Sequence, residues 1–144
     1  MPGPLGGPPD RRRGAVVTGG LRVTVTGGAG FIGSNLVSWL LRHPAIGRVT
    51  VVDDCSTGSM SLLGSDLPET DFRHGSVLDA GLLDQAMTRA DAVVHLAALP
   101  SVPRSMADPM ASHQANATGT LTVLEAARRA GGPLVVAAGL DPGV

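Results

Sequence analysis

Thr26-Gly27-Gly28-Ala29-Gly30-Phe31-Ile32-Gly33 is the stretch that decides how this chain folds. It follows a short β-branched run, Val23-Thr24-Val25, and opens an apolar-periodic segment. Twenty residues past Gly33, a second β-branched run, Val49-Thr50-Val51-Val52, ends in Asp53. Strand, glycine-rich turn, helix, strand and acid, in that order, form the signature of a dinucleotide-binding unit. The first glycine allows a tight turn, the next lets backbone approach a pyrophosphate, and Gly33 lets the helix pack close to the strand. The helix N-terminus then offers free N–H groups and its positive dipole end to the phosphates. Asp53 can accept hydrogen bonds from both ribose hydroxyls. Two spacings fit at once: G-x-x-G-x-x-G through Gly27, Gly30 and Gly33, and G-x-G-x-x-G through Gly28, Gly30 and Gly33. The bland alternative is a flexible loop in a chain with 20 glycines. It leaves unexplained why strand, helix and acid all stand where the mechanism needs them. A Walker phosphate loop is excluded, because it ends in Gly-Lys-Ser/Thr and the chain contains no lysine.

Composition bounds the rest. A length of 144 residues with 43% hydrophobic content predicts one globular domain with a real core. A net charge of −1 gives no reason to expect nucleic acid or an anionic membrane as partner. The single cysteine, Cys55, excludes an internal disulfide and suits a reducing cytoplasm; it reads as a small loop residue. No apolar run approaches the length of a membrane span. Arg11-Arg12-Arg13 precedes an apolar patch, but Gly19, Gly20 and Arg22 break that patch, which argues against a secretion signal. All 11 basic residues are arginine, and there is no tyrosine. Chemistry that needs a Tyr or Lys side chain cannot run on these residues alone.

Along the chain, residues 1 to about 20 are rich in Pro, Gly and Arg and read as a disordered tail. The residues from 21 onward form the binding domain. Leu21 to Thr26 is the first strand. Phe31 to His43 reads as a helix with Ile32, Leu36, Trp39 and Leu40 on one face, stopped by Pro44. Arg48 to Asp53 is the second strand, and Cys55 to Pro68 a Ser/Gly-rich connection with room for a helical turn. Asp71 to His74 is a third strand, and Asp79 caps a helix running to about Thr88. Ala92 to Leu96 is a fourth strand. Asp108-Pro109, as N-cap and first-turn proline, starts the longest helix, which runs to Arg129 and stops at Gly131-Gly132. Leu134 to Ala137 is a fifth strand. Strands alternating with helices predict an α/β fold, a doubly wound, Rossmann-like parallel sheet of order 3-2-1-4-5. The ligand cleft then lies at the carboxyl ends of strands 1, 2 and 4.

Several separate motifs now stand in one order: Thr26 to Ser34, Val51-Val52-Asp53-Asp54, Gly75-Ser76-Val77-Leu78-Asp79, and His95-Leu96-Ala97-Ala98. Ser101-Val102-Pro103-Arg104-Ser105 with Asp108-Pro109 follow, then Asn116-Ala117-Thr118-Gly119-Thr120 with Leu124-Glu125-Ala126-Ala127. On these motifs the chain resembles the extended short-chain dehydrogenase/reductase group, especially NAD-dependent epimerases and dehydratases of nucleotide sugars, over about residues 21 to 136. The resemblance implies NAD as cofactor and a nucleotide sugar as substrate. It implies that Phe31 and Ile32 present N–H groups to the pyrophosphate and that Asp53 takes the adenosine ribose, favouring NAD over NADP. Ser76 and Val77 would border the adenine, although the group often has Asp where Ser76 stands. Leu96, Ala97 and Ala98 would line the channel toward the nicotinamide, and Asn116 would help order the site. Leu99 to Arg104 would border the sugar, and a dimer partner would pack on the 109–129 helix. Bland alternatives stay beside these. Ser76 and Val77 also fit plain strand-end residues, Asn116 a solvent-facing polar group, and Arg104 a surface charge. His95 reads as packed within strand 4, and His43, His74 and His113 are too scattered for a metal site. Asp53 and Asp54, adjacent at a strand end, are expected to point to different sides.

The same resemblance exposes a departure. Such enzymes carry a Tyr-x-x-x-Lys pair on the helix after the fifth strand, where the phenol serves as acid/base and the amine lowers its pKa. Here the fifth strand runs into Ala137-Ala138-Gly139 and the sequence stops at Val144. No catalytic residue can therefore be assigned. The expectation is the cofactor-binding half of an epimerase or dehydratase without the catalytic half, as an early stop, a frameshift or a split gene would leave it. Two alternatives remain open: a sensor that binds NAD without chemistry, and a fragment without function.

Overall fold

The computed structural model describes residues 19–99 and 102–138, so the tail expected over residues 1 to 20 lies almost wholly outside the described residues. Five strands form one sheet, paired in parallel throughout. They are β1 (Leu21–Thr26), β2 (Ile46–Asp53), β3 (Asp71–His74), β4 (Ala92–His95) and β5 (Leu134–Ala137), in the order β3-β2-β1-β4-β5. This is the predicted doubly wound order. Parallel strands covered on both faces need near-continuous apolar runs, and β1 and β2 supply them.

One face packs on helix α1 (Phe31–Arg42). There Val23, Val25, Val49, Val51 and Leu63 enclose Val37 and Leu40. The other face packs on α2 (Ala80–Ala86) and α5 (Gly119–Arg129). Val52 and Val93 meet Leu83, Met87, Val123, Ala126 and Ala127 there. Each fully buried side chain of this size contributes about 1.5–3 kcal/mol. A buried hydrogen bond joins the layers: the Thr24 hydroxyl donates to the Ala86 carbonyl at 2.9 Å. Asp79 caps α2 as expected, accepting from the Leu82 N–H at 3.0 Å.

The expected face of α1 needs correction. Leu40 is buried and Leu36 packs against the core, but Ile32 and Trp39 are exposed. The buried stripe is Gly33, Ser34, Val37 and Leu40. Small residues lead it because the first turn of α1 crosses the end of β1 almost in backbone contact. Trp39 instead lies against the His43 ring, centroids 4.8 Å apart. The long helix also differs from expectation. A short helix α3 (Val102–Ala107) precedes it, and it runs as α4 (Pro109–His113), a π segment (Gln114–Thr118) and α5. Asp108 caps α4 through the Ala111 N–H at 3.1 Å.

Away from the glycine turn, Arg22, Arg48, Asp71 and Arg73 line a second, open cavity. Arg48 reaches the Asp71 carboxylate at 2.8 Å and Arg73 at 3.2 Å. At the sheet's edge, β5 leaves Leu134 and Val136 exposed. On the long helix, Leu121 and Leu124 are exposed as well. Among the described residues β5 has no second partner strand, and an open edge with exposed apolar helix residues favours association. Light scattering on the purified chain is expected to show dimers or larger species. Val136→Lys is expected to shift them toward monomer. A wild-type chain that stays monomeric at high concentration contradicts this.

Candidate functional site

The site is built at the carboxyl ends of β1, β2 and β4. Chain continuity through Gly27 is fixed by its N–H, which donates to the Val52 carbonyl at 2.8 Å. Gly27 then turns with φ +73°, and a Cβ there would stand 2.7 Å from the Ala97 nitrogen. No side chain is compatible with that approach. A Cβ on Gly33 would collide with the Gly27 carbonyl oxygen, so Gly33 is the residue that lets α1 start against the turn. Gly30 differs. A Cβ there would meet only the Gly27 carbonyl, at 3.3 Å. The space before Gly30 belongs to the cleft, which it lines.

Helix geometry leaves the N–H groups of Phe31, Ile32 and Gly33 without acceptors inside the helix. The first intrahelical bond runs from the Ser34 N–H to the Gly30 carbonyl at 2.9 Å. The side chains of Phe31 and Ile32 are exposed. What these residues can offer a ligand is therefore backbone and dipole, as the sequence predicts.

Asp53 stands opposite, at the end of β2. Its Oδ2 accepts the Ala29 N–H at 2.9 Å and its Oδ1 accepts the Cys55 N–H at 2.8 Å. Each oxygen keeps lone-pair capacity for a further donor. The strand ends at Asp53, and both Asp53 and Asp54 line the cleft; the Asp54 Oδ1 accepts the Ser56 N–H at 2.9 Å. The loop that follows folds back over the glycine turn, with the Ser59 N–H on the Ala29 carbonyl at 3.0 Å. Burial, with the Asp53 charge added, pushes the Cys55 thiol up and keeps it protonated, which fits a loop residue and no nucleophile.

The cleft has a volume of about 300 Å³. Gly27, Gly30 and Asp53 form its floor near α1, Ser76 and Val77 one wall, and Leu96, Ala97 and Ala98 the other. The structure thus gathers the expected residues around one space, with three qualifications. Gly33, Phe31 and Ile32 are not on its lining: Gly33 packs against the turn, and the Phe31 and Ile32 side chains are exposed. Asn116 is not on the wall. Its Oδ1 accepts the Leu99 N–H at 2.7 Å and its Nδ2 donates to the Leu99 carbonyl at 3.1 Å. It therefore acts by holding the loop after β4, where Leu99 does line the cleft. Arg104 lies on the exposed α3.

Other residues of the site were not anticipated. Ser56 and Thr57 line the cleft from the loop after β2. Gly119 brings the long helix against Val77, whose side chain would be 2.8 Å from a Cβ there. Gly119 stands in the Asn-Ala-Thr-Gly run, and a glycine inside a helical pattern signals such a close approach. His95 is buried between two hydroxyls. Its Nδ1 lies 2.6 Å from Thr26 Oγ1 and its Nε2 3.0 Å from Thr120 Oγ1. Burial lowers its pKa below the ordinary histidine value.

A glycine turn at a helix start, an acid at the next strand end and a cleft between them recur in known proteins. Residues 23–139 match the sequence pattern of the NAD dependent epimerase/dehydratase family. This chain belongs to that family. A dTDP-glucose 4,6-dehydratase of Mycolicibacterium smegmatis is 40% identical over 110 residues, which cover 76% of this chain and 33% of the relative. Among solved structures, a dTDP-glucose 4,6-dehydratase of Streptomyces venezuelae with NAD bound superimposes with a TM-score of 0.73 at 39% identity. That match covers 80% of this chain and 38% of the other. A UDP-glucose 4-epimerase of Thermus thermophilus in complex with NAD gives a TM-score of 0.71 at 35% identity, over 80% of this chain and 36% of the other. The chain thus spans about a third of the length of the curated relatives it matches. Among the described residues no helix is long and apolar enough to cross a membrane.

The depressed pKa of His95 has a consequence for stability. Its unfolded form titrates near 6.5, and the folded form holds its proton less tightly. As pH falls below about 6.5 the unfolded chain takes up the proton first, so stability present above that pH is lost on acidification. Urea denaturation at pH 7.5 and 5.5 is expected to show a larger loss for the wild type than for His95→Gln. Equal losses contradict the assignment.

Proposed function

We propose that the cleft binds NAD, and that the chain is the cofactor-binding portion of a nucleotide-sugar epimerase or dehydratase without turnover of its own. The observation that carries the reading is the pairing of an open, side-chain-free space before Gly30 with a carboxylate, Asp53, across it. The pyrophosphate would lie against Gly27, Gly30 and the N–H groups of Phe31, Ile32 and Gly33. Asp53 would accept the adenosine ribose hydroxyls, Ser76 and Val77 would border the adenine, and Leu96, Ala97 and Ala98 would flank the path toward the nicotinamide. Asn116 would fix that wall through Leu99. The dehydratase and epimerase relatives support a nucleotide sugar as substrate, met beyond Leu99 toward Arg104.

Bound NAD would supply a hydride acceptor. The chain's own residues bind, orient and shield it. A proton acceptor for a sugar hydroxyl is another matter, since the 144 residues contain no tyrosine and no lysine. His95 is enclosed by Thr26 and Thr120 and meets no substrate. A cleft formed this fully without a phenol or an amine also favours a second reading, an NAD-binding module that performs no chemistry.

Binding is expected to favour NAD over NADP. The Asp53 carboxylate opposes a 2′-phosphate, and among the described residues no arginine lines the cleft. Calorimetric titration of both cofactors checks this. Asp53→Ala should weaken NAD by about tenfold, the order of a charge-assisted hydrogen bond, and narrow the gap to NADP. Gly30→Val should weaken it by about 100-fold or more, since its branches fill the space before the turn. Equal or tighter NADP binding overturns the reading.

Assayed with NAD and a panel of nucleotide sugars, the purified chain is expected to release no product and accumulate no NADH. General acid–base catalysis alone is worth on the order of 10²–10⁴-fold. Turnover that persists through purification and disappears in Gly30→Val contradicts this. Turnover only on addition of a separate polypeptide carrying Tyr-x-x-x-Lys supports the enzyme reading over the binding module.

A further inference from the structure

Five groups, from the buried Thr26 and His95 out to the exposed Asn116, fall into a single directed chain. The Thr120 hydroxyl lies 2.6 Å from the Asn116 carbonyl oxygen. A carbonyl carries no proton, so Thr120 spends its only one there. At His95, 3.0 Å away, Thr120 can then only accept, which places a proton on Nε2. His95 is 4% exposed, and burial without a paired carboxylate keeps the ring neutral. Its Nδ1 is therefore bare and accepts from the Thr26 hydroxyl at 2.6 Å. The Thr26 oxygen in turn accepts the Ala97 N–H at 3.3 Å. The sequence of donors is Ala97 N–H to Thr26, Thr26 to His95, His95 to Thr120, and Thr120 to the Asn116 carbonyl. No member is left with an unmet proton along it.

We propose that His95 is a positioning residue: as its Nε2–H tautomer it ties the last residue of β1 to the π segment and so fixes Asn116, which holds Leu99 against the cleft.

The ends of the chain give it this meaning. Thr26 is the residue before the glycine turn, paired across the sheet with His95 itself. Asn116 lies in the π segment, where the Gly119 N–H reaches back five residues to the Gln114 carbonyl. That register widens the helix, and such segments are rare and mostly confined to a single turn. Here a threonine side chain, itself held by His95, bonds the Asn116 carbonyl. The Asn116 amide then takes both backbone groups of Leu99. The floor of the cleft at the glycine turn and its wall after β4 are thereby referred to one imidazole. A plain core histidine would need neither the fixed tautomer nor the link to Leu99. The consequence for cofactor affinity rests on the NAD reading above; the tautomer and the hold on Leu99 do not.

The test uses the whole chain. Long-range ¹H–¹⁵N spectra of the free protein at pH 7.5 should give His95 a protonated Nε2 and a bare Nδ1. A protonated Nδ1 overturns the proposal. Amide exchange should show Leu99 protected in the wild type. It should exchange about tenfold faster or more in His95→Leu and in the near-isosteric Thr120→Val, an opening shift of about 1.4 kcal/mol, with Val25 unchanged. Thr120→Ser, which keeps the hydroxyl, should restore protection. Thr120→Val covers the case in which His95→Leu fails to fold. NAD affinity should fall by about tenfold in Thr120→Val and recover in Thr120→Ser. Unchanged Leu99 exchange in Thr120→Val overturns the positioning role even if NAD binds. Lost Leu99 protection in Thr120→Val, in a chain whose wild type takes no NAD, leaves the positioning role standing and refutes the cofactor reading alone.

Discussion

The Ala29 N–H donates to Asp53 at 2.9 Å, and the geometry of the cleft depends on that bond. It joins the glycine turn at the end of β1 to the carboxylate at the end of β2. A turn built of glycines has no side chains to hold it, and its freedom would otherwise cost it definition. The bond supplies a fixed point, and the Cys55 N–H on the other carboxylate oxygen locks the ring of contacts. The acid is then oriented before any ligand arrives, with lone pairs left over. Preorganisation of this kind removes part of the ordering cost from binding.

Around that point the two sides of the cleft are held by different physics. On the α1 side the constraint is steric. Gly27 and Gly33 bring backbone against backbone with no room for a Cβ, and the valines behind them fill the core. On the far side the constraint is polar, running from Thr26 through His95 and Thr120 to Asn116 and Leu99. Buried polar groups that are fully satisfied specify one arrangement, whereas unsatisfied ones cost stability. Membership in the NAD dependent epimerase/dehydratase family accounts for the sheet and the turn. Among these 144 residues there is neither tyrosine nor lysine.

Much of this was legible in the sequence. The glycine spacing, the β-branched runs and Asp53 predicted the strand order and the cleft, because each is a local signal whose geometry is set within a few residues. The apolar face of α1 was misread, since hydrophobic size points to Ile32 and Trp39 while close approach selects Gly33 and Ser34. The π segment was invisible, because its wider register carries no residue signature of its own. Asn116 stood out in the sequence by its motif, yet its partner, the backbone of Leu99, carries no side-chain signature. Thr26, His95 and Thr120 are far apart in sequence, and only the folded sheet brings them together. Helix α3 offered too short a run for periodicity to register.

The most direct test of the account is a map of backbone amide shifts as NAD is titrated into the labelled chain. The account predicts that the largest changes fall on Ala29 to Gly33, on Asp53 and on Leu96 to Leu99. Arg22 and Arg48, toward the opposite end of β1 and β2, should stay where they are. Changes centred on those arginines, or no changes at the glycine turn at saturation, would contradict the claim that this cleft is the cofactor site.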